Sequence, residues 1–162
     1  MTNSSPAVLS LRTPDGLLRI DFQWQADRFV QRLFLDDAEV GKSIEGDAED
    51  PWPISPPLQQ LSLEQINDAN VILGVGAAGR GHWSISVEID REVSSAFKFD
   101  LACRCPEPPD FLGSRYQLAD NLNMQSLTDE TQIHRQAALV TATVPLKTAD
   151  THRWSYRISK ST

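Results

Sequence analysis

The feature that most constrains this fold is a strict alternation of apolar and polar side chains in two neighbouring segments. Residues 82–90 (HWSISVEID) and residues 96–105 (AFKFDLACRC) carry an apolar side chain at almost every second position. This period of two is typical of β-strands with one buried face, because successive side chains of a strand point to opposite sides of the sheet. The short, mostly polar stretch 91–95 between the two segments predicts an antiparallel hairpin.

The two segments also specify the register in which they pair. A slip of one residue would turn every apolar side chain of one strand toward water, so only registers that keep both apolar sets on one face are allowed. Centring the loop on Val93 therefore predicts five cross-strand pairs, namely Ile89–Phe97, Val87–Phe99, Ile85–Leu101, Trp83–Cys103 and, on the outer face, Glu88–Lys98.

Further segments show the same strand pattern. Residues 17–24 alternate regularly, residues 28–36 are apolar on both faces and predict a more central strand, and residues 113–120 predict one more strand. Residues 137–144 and 152–159 predict a second hairpin, joined across residues 145–150. Within it, the alternation points three large side chains inward, those of Trp154, Tyr156 and Ile158.

Three segments are less regular. Residues 56–68 are compatible with a strand or a single helical turn, and residues 119–134 are the best remaining candidate for a helix. Residues 41–57 contain two glycines, a run of acidic residues and four prolines, which is typical of a long surface loop. Similar strand patterns on both sides of this loop argue against its being a domain linker.

The segments together predict an all-β chain. About nine or ten short strands and at most one or two short helices indicate an antiparallel β-sandwich or a flattened barrel. A length of 162 residues corresponds to a single domain, 1–162, with the surface loop at 41–57. A chain of this size buries enough surface to form a core without disulfides or metals.

One named motif occurs, the G-x-G-x-x-G of Gly74, Gly76 and Gly79. A dinucleotide-binding loop of this pattern lies between a strand and a helix, whose N-terminus faces the pyrophosphate. Here the motif leads directly into the alternating segment 82–90. We therefore interpret residues 76–81 as the bend between two antiparallel strands, and we expect no nucleotide and no other cofactor.

Charge and hydropathy narrow the class of partner. The formal net charge of −7 opposes binding to nucleic acid and to anionic membranes, and no basic run offsets it. No apolar run approaches the roughly 20 residues of a membrane-spanning helix, and residues 1–11 do not resemble a secretory signal. We expect an acidic, cytoplasmic protein.

The two cysteines, Cys103 and Cys105, are expected on one face of a strand. Two rises of a strand separate them by about 6.6 Å, whereas a disulfide needs Cβ atoms about 3.5–4.5 Å apart. We therefore predict two free, buried thiols. His82 would point to the opposite face, so a metal site shared with these thiols is not expected.

The outer face of the predicted hairpin is the most suggestive polar surface. Small serines lie there among charged and imidazole groups, a combination that favours ligand or partner binding. Trp52, between two prolines of the 41–57 loop, and Arg80, beside the glycine bend, are candidate contacts as well. The predicted binding residues are Trp52, Arg80, His82, Ser84, Ser86, Asp100 and Arg104.

The sequence leaves three classes of function open. The main prediction is a non-catalytic binding or assembly module that contacts another protein or itself, as a homodimer. The first alternative is a β-sandwich or barrel that binds a small molecule or carbohydrate, and the second is an enzyme of unknown type. A pocket lined by Trp52, His82 and Arg104 would favour the first alternative, and His82 within reach of Asp100 or Cys105 would favour an enzyme.

Overall fold

A computed structural model describes residues 8–146 and 149–162 of the chain, and these residues form thirteen strands and no helix. The all-β prediction is confirmed, whereas the predicted count of nine or ten strands is too low. No helix long and apolar enough to cross a membrane occurs in the described ranges. In chain order the strands are β1 (Leu9–Arg12), β2 (Leu18–Gln25), β3 (Arg28–Leu35), β4 (Ala38–Ser43), β5 (Gln60–Ile66), β6 (Ala69–Ala78), β7 (Gly81–Ile89), β8 (Ala96–Arg104), β9 (Gly113–Leu118), β10 (Leu122–Ser126), β11 (Gln132–Gln136), β12 (Leu139–Thr143) and β13 (Thr151–Lys160).

The strands form two antiparallel sheets. The seven-stranded sheet has the order β1-β2-β3-β4-β9-β12-β11, and the six-stranded sheet has the order β10-β13-β8-β7-β6-β5. Large apolar side chains from both sheets are buried together, as in a sandwich. The most deeply buried large side chains include Phe22, Phe99, Tyr116, Trp154 and Tyr156.

The predicted β7–β8 hairpin has the register expected from its sequence. All five predicted pairs are present, from Trp83–Cys103 at one end to Ile89–Phe97 at the other, with Glu88 facing Lys98 on the outer side. The connection is held by Asp90, whose carboxylate accepts hydrogen bonds from the N–H groups of Glu92 and Val93. Alternation alone was sufficient here because the loop is short and each strand has one clear apolar face.

Short two-residue turns account for other hairpins. Asp36–Asp37 joins β3 to β4 and Asn67–Asp68 joins β5 to β6, and all four residues have positive φ between 51° and 65°. Asn and Asp tolerate this left-handed conformation better than most residues, and its twist matches that of the flanking strands.

The helix predicted at residues 119–134 is wrong. This segment forms β10 and β11, and the two strands belong to different sheets. Leu122 and Met124 are buried, whereas Asn123 and Gln125 between them are exposed, which is the two-residue period of a strand. The separate turn at residues 127–131 interrupts this pattern, so the sequence resembled a weak helix.

The hairpin predicted from residues 137–144 and 152–159 is also wrong. β12 pairs with β9 and β11 in one sheet, and β13 pairs with β8 and β10 in the other. Residues 147–148 of their connection lie outside the described residues. The inward direction of Trp154, Tyr156 and Ile158 is nevertheless confirmed. Alternation shows which face of a strand is buried, but two strands of opposite sheets bury their faces equally well.

Residues 44–59 connect β4 to β5 without a regular strand. The first three residues of the predicted 41–57 loop, Gly41–Ser43, belong to β4. Trp52 is only 8% exposed and packs edge-on against Trp83, with 6.0 Å between ring centroids. The connection therefore contributes apolar side chains to the core at the end of the sandwich where β6 turns into β7.

The glycine motif is part of a β-hairpin, as interpreted from the sequence. Gly74 and Gly76 lie within β6, and β6 pairs antiparallel with β7. The turn itself is shorter than predicted and consists of Gly79 and Arg80, with Gly79 at a φ of +53°. Because β7 follows immediately, the motif has no helix N-terminus beside it.

The two cysteines are free and buried, as predicted. Cys103 is 0% exposed and Cys105 is 2% exposed, with their sulfur atoms 3.5 Å apart. Burial raises the pKa of the Cys105 thiol, so little of the reactive thiolate forms at neutral pH.

We therefore expect neither thiol to react with a water-soluble disulfide reagent in the native protein, because both burial and the raised pKa oppose attack. Two thiols should be titrated after unfolding in guanidinium. Rapid reaction of one thiol in the native protein, at the rate of a small-molecule thiol, would contradict this assignment.

Candidate functional site

Five of the seven predicted binding residues do share one surface. His82, Ser84 and Ser86 of β7 and Asp100 and Arg104 of β8 lie on the outer face of the six-stranded sheet. His82 is directly opposite Arg104, and Ser86 is directly opposite Asp100. Their role in binding stays a prediction.

The other two predicted residues lie elsewhere. Arg80 is well exposed in the β6–β7 turn, 3.9 Å from a carboxylate oxygen of Glu107. Trp52 is buried against Trp83 on the inner side of the sheet, opposite to the face that carries His82. The indole is apolar enough to be drawn into the core, so Trp52 cannot act together with the polar outer face.

A separate polar cleft of about 600 Å³ lies beside β2, β3 and β4 of the seven-stranded sheet, near the turn that joins β2 to β3. We call it the Arg28–Glu45 cleft. Its polar lining comes from the ends of β2, β3 and β4 and from the residues that follow β4. Its polar lining residues are Gln23, Gln25, Asp27, Arg28, Arg32, Glu39, Lys42, Ser43 and Glu45.

The cleft exists because β3 and β4 pair along only part of their length. Their ladder ends at Arg32–Lys42, and beyond it the two chains separate. One hydrogen bond still joins them there, from the N–H of Gln31 to Oγ of Ser43 at 2.9 Å. The gap in the sheet gives side chains beside it access to both the surface and the interior.

The charged side chains of the cleft form close pairs. Arg28 contacts Asp27 through two of its nitrogens, at 3.0 and 3.3 Å. Arg32 contacts Glu39 in the same way and also donates a hydrogen bond to Oε1 of Gln23 at 3.0 Å. The hydrogen bonds from Arg32 hold the pKa of Glu39 below its ordinary value.

Glu45 is the unusual carboxyl of the cleft. Burial raises its pKa to about 7, although a hydrogen bond from Ser43 and the charge of Arg28 both oppose the shift. Ser43 donates to Oε2 of Glu45 at 2.5 Å, while Oε1 has no hydrogen-bond partner among the described residues. Nη1 of Arg28 is likewise buried without a described partner, in a side chain that is 6% exposed.

A buried network continues from the cleft into the core. The Tyr116 hydroxyl donates to Oε1 of Gln31 at 2.5 Å and lies 2.6 Å from the Tyr156 hydroxyl. Burial raises the pKa of Tyr116 well above its ordinary value, and the nearby Tyr156 and Glu45 raise it further. Gln31 therefore connects Ser43 and Glu45 at the cleft to the two tyrosines between the sheets.

This cleft was not predicted from the sequence. Arg28 begins the predicted strand 28–36 and Glu45 lies in the predicted loop 41–57, and neither stands out there from other charged residues. The only signal in the sequence was spacing. Arg28 is two residues from Val30 and Glu45 is two residues from Ser43, so in an extended chain each charged side chain would lie on the same side as a residue that faces the core. Burial of a charged side chain is set by the neighbours that surround it in space, and these come from β2, β4 and the following loop.

The described parts of the chain contain no cluster of side chains suited to bind a metal ion. No group of three or more His, Cys, Asp or Glu side chains is placed there to hold a metal ion. His82 lies on the outer face and the two cysteines on the inner face, as expected. Among the described contacts, the histidine closest to a thiol is His152 and not His82. Its Nδ1 atom lies 3.9 Å from the sulfur of Cys105.

Comparison with known proteins supports the fold but shows no family. No protein-family model and no curated protein matches this sequence. A glycoside hydrolase family 97 enzyme from Pseudoalteromonas sp. strain K8, in complex with acarbose, matches with a TM-score of 0.63 at 9% sequence identity. The match covers 94% of this chain and 35% of that chain.

Two further structures of the family 97 enzyme from the same strain match over the same shares of both chains. One is an arginine-to-lysine variant and the other is a glutamate-to-glutamine variant in complex with panose, each with a TM-score of 0.55 at 10% identity. At such low identity these matches show that this chain shares a fold with about a third of a carbohydrate-active enzyme.

Proposed function

We propose that this chain is a β-sandwich domain that binds a carbohydrate or a similar small polar molecule in the Arg28–Glu45 cleft. The observation that carries the proposal is the cleft itself. About 600 Å³ of space lies beside a gap in the sheet and is lined by amide, guanidinium, ammonium and carboxyl groups. Ligand pockets of soluble proteins have volumes of about 300–1,000 Å³.

The charge balance of the cleft favours a neutral ligand. Three cationic residues, Arg28, Arg32 and Lys42, lie among three acidic ones, Asp27, Glu39 and Glu45, of which Glu45 is only partly ionised at neutral pH because its pKa is about 7. Such a lining offers both donors and acceptors without a strong net field. Sugar hydroxyls suit it because each hydroxyl both donates and accepts hydrogen bonds.

The buried polar atoms beside the cleft support the same function. A buried donor or acceptor without a partner costs about 1–3 kcal/mol, and more when it is charged. Nη1 of Arg28 and Oε1 of Glu45 both lack a partner among the described residues. A hydroxyl-rich ligand would relieve part of this cost if residues 44–46 shifted to admit it.

The structural comparison is consistent with this proposal. The enzyme that shares the fold was solved with acarbose and with panose, which shows that the fold occurs within a carbohydrate-active protein. The proposal for this chain depends on its own cleft, because the shared fold alone does not transfer a binding site.

We expect calorimetric titration of the protein with panose, cellotriose and mannotriose to show binding of at least one of these neutral oligosaccharides. Lys42→Ala should weaken that binding about tenfold, since a hydrogen bond to a charged donor contributes about 1.5–3 kcal/mol. Lys160→Ala, which removes an exposed lysine at the far end of β13, serves as the matched control.

Two results would overturn the proposal. The first is the absence of binding by all three oligosaccharides at millimolar concentration. The second is equal affinity of the Lys42→Ala and Lys160→Ala variants, which would place binding outside the Arg28–Glu45 cleft.

A further inference from the structure

The six-stranded sheet ends in an unusually open edge strand. β5 pairs with β6 through all seven of its residues, Gln60–Ile66, and its other side has no strand partner among the described residues. The remaining edge strands are shorter, with four residues in β1 and five each in β10 and β11. β5 therefore presents the longest row of unpaired backbone groups in the described structure.

β5 also lacks the features that commonly protect an edge. It contains no proline, its ladder with β6 has no register shift, and Glu64 is its one charged residue. Leu63 is 46% exposed and Ile66 is 42% exposed. A long, regular edge with exposed apolar side chains is a ready template for another β-strand.

We propose that a second copy of this chain docks on β5, so that the β5 strands of two copies pair antiparallel about a two-fold axis. The two six-stranded sheets then form one continuous sheet across the dimer. The unpaired backbone N–H and C=O groups of this edge can hydrogen-bond to a further strand. A second copy supplies one, and a two-fold axis brings the same edge of both copies together.

The sequence of β5 is compatible with pairing to itself. In an antiparallel pair, residues directly opposite each other lie on the same face of the sheet. A symmetric pair of β5 strands must therefore be centred on a residue that is opposite the same residue of the second copy. Centring the pairing on Leu63 uses all seven residues. The resulting pairs are Leu63–Leu63, Ser62–Glu64, Leu61–Gln65 and Gln60–Ile66.

Charge selects among the neighbouring registers. Centring on Glu64 would set two carboxylates against each other, which is unfavourable. Centring on Ser62 would pair only residues 60–64 and leave the exposed Ile66 without a partner. The Leu63-centred register avoids both problems, since each Glu64 faces an uncharged Ser62.

The experiment is size-exclusion chromatography with light scattering, together with sedimentation equilibrium to obtain the dimer dissociation constant. We expect the wild-type chain, of 18.1 kDa, to elute with twice that mass. Leu63→Lys sets two ammonium groups against each other and should raise the dissociation constant at least about tenfold. Leu139→Lys, at a similarly exposed leucine of the other sheet, is the matched control and should remain dimeric.

The register is tested by two further variants. Ser62→Lys places a lysine opposite Glu64 twice in the dimer and should tighten it about two- to tenfold. Ser62→Glu places like charges opposite each other and should weaken it by a similar factor, most strongly at low salt. Circular dichroism of each variant confirms that the monomer is folded.

Each outcome decides the proposal. A wild-type chain that is monomeric at several hundred micromolar overturns it, whether or not β5 then binds a strand of another protein. A dimer that Leu63→Lys leaves intact places the interface elsewhere and also overturns it. Opposite effects of Ser62→Lys and Ser62→Glu support the pairing, whereas equal effects exclude this register.

Discussion

Gly76→Ala is expected to lower the free energy of unfolding by at least about 3 kcal/mol. A Cβ atom on Gly76 would lie 1.5 Å from the carbonyl oxygen of Pro57 and 2.6 Å from its carbonyl carbon. Both are backbone atoms, so the added methyl group can be accommodated only if β6 and the chain entering β5 move apart. Overpacking of a core lowers the free energy of unfolding by about 1–3 kcal/mol. Because this variant must also displace backbone, its cost should lie at or above the upper end of that interval.

Two neighbouring variants make the measurement specific. A Cβ on Gly74 would meet the side chains of Leu61 and Ile85, at 2.5 and 2.8 Å, and these can rotate. Gly74→Ala should therefore cost less, about 1–2 kcal/mol. Val75→Ala, at an exposed position of the same strand, should change stability by about 0.5 kcal/mol or less.

Urea or guanidinium unfolding at equilibrium, followed by tryptophan fluorescence, measures all three variants. The expected order of destabilisation is Gly76→Ala, then Gly74→Ala, then Val75→Ala. If Gly76→Ala were no less stable than Val75→Ala, the close approach of residue 57 to β6 would be wrong. The expected order would also explain the second glycine of the G-x-G-x-x-G pattern, since only a residue without a side chain lets the backbone of Pro57 approach β6 so closely.

Glu45→Gln is expected to make the protein more stable above pH 7 and to remove part of its pH dependence. The pKa of Glu45 is about 7 in the folded chain, against an ordinary value of 4.5. Between these two values the folded state keeps a proton that the unfolded state has released. The free energy of unfolding therefore falls as the pH rises from about 4.5 to 7, by about 3 kcal/mol in total at about 1.4 kcal/mol per pH unit.

The amide introduced by Glu45→Gln cannot ionise and can still accept the hydrogen bond from Ser43. The variant should thus match the wild type at pH 4 and exceed its stability by up to about 3 kcal/mol at pH 8. The charged and titratable groups around this carboxyl are Asp27, Arg28, Tyr116 and Tyr156, and none of them is changed by the variant. Glu49→Gln, in the exposed part of the same connection, is the control.

The measurement is the unfolding free energy from denaturant titrations at pH 4, 5, 6, 7 and 8. A difference between Glu45→Gln and wild type that grows between pH 5 and 7 is the expected result. A constant difference across the whole range would show that Glu45 ionises at its ordinary pKa in the folded protein. The same pH dependence in Glu49→Gln would show that the effect does not come from the carboxyl of Glu45.

Where a segment had one clear apolar face and a short connection, its pairing could be predicted from the residues. The β7–β8 hairpin is the best example, because a register slipped by one residue would expose Phe97, Phe99 and Leu101 to water. The glycine motif is a second example, since the alternating residues after Gly81 left no helix for the glycines to precede.

Strand partners could not be predicted where the connections are longer. β12 and β13 each have a clear buried face, yet they lie in opposite sheets. A buried face is satisfied by any apolar surface of suitable shape, so alternation contains no information on which sheet a strand joins. The strand count was too low for a related reason, because β10 and β11 are only five residues each and resembled one weak helix.

Local side-chain order by itself determined that this chain is all-β, which faces of its strands are buried, and how β7 pairs with β8. Only the tertiary structure decided which strands share a sheet, that Trp52 is buried in the core, and that Arg28 and Glu45 line the same cleft beside β3 and β4. The physical reason is the distance along the chain between the residues that determine each property. Alternation depends on neighbours along the strand, whereas the burial and pKa of a charged group depend on atoms that distant segments bring around it.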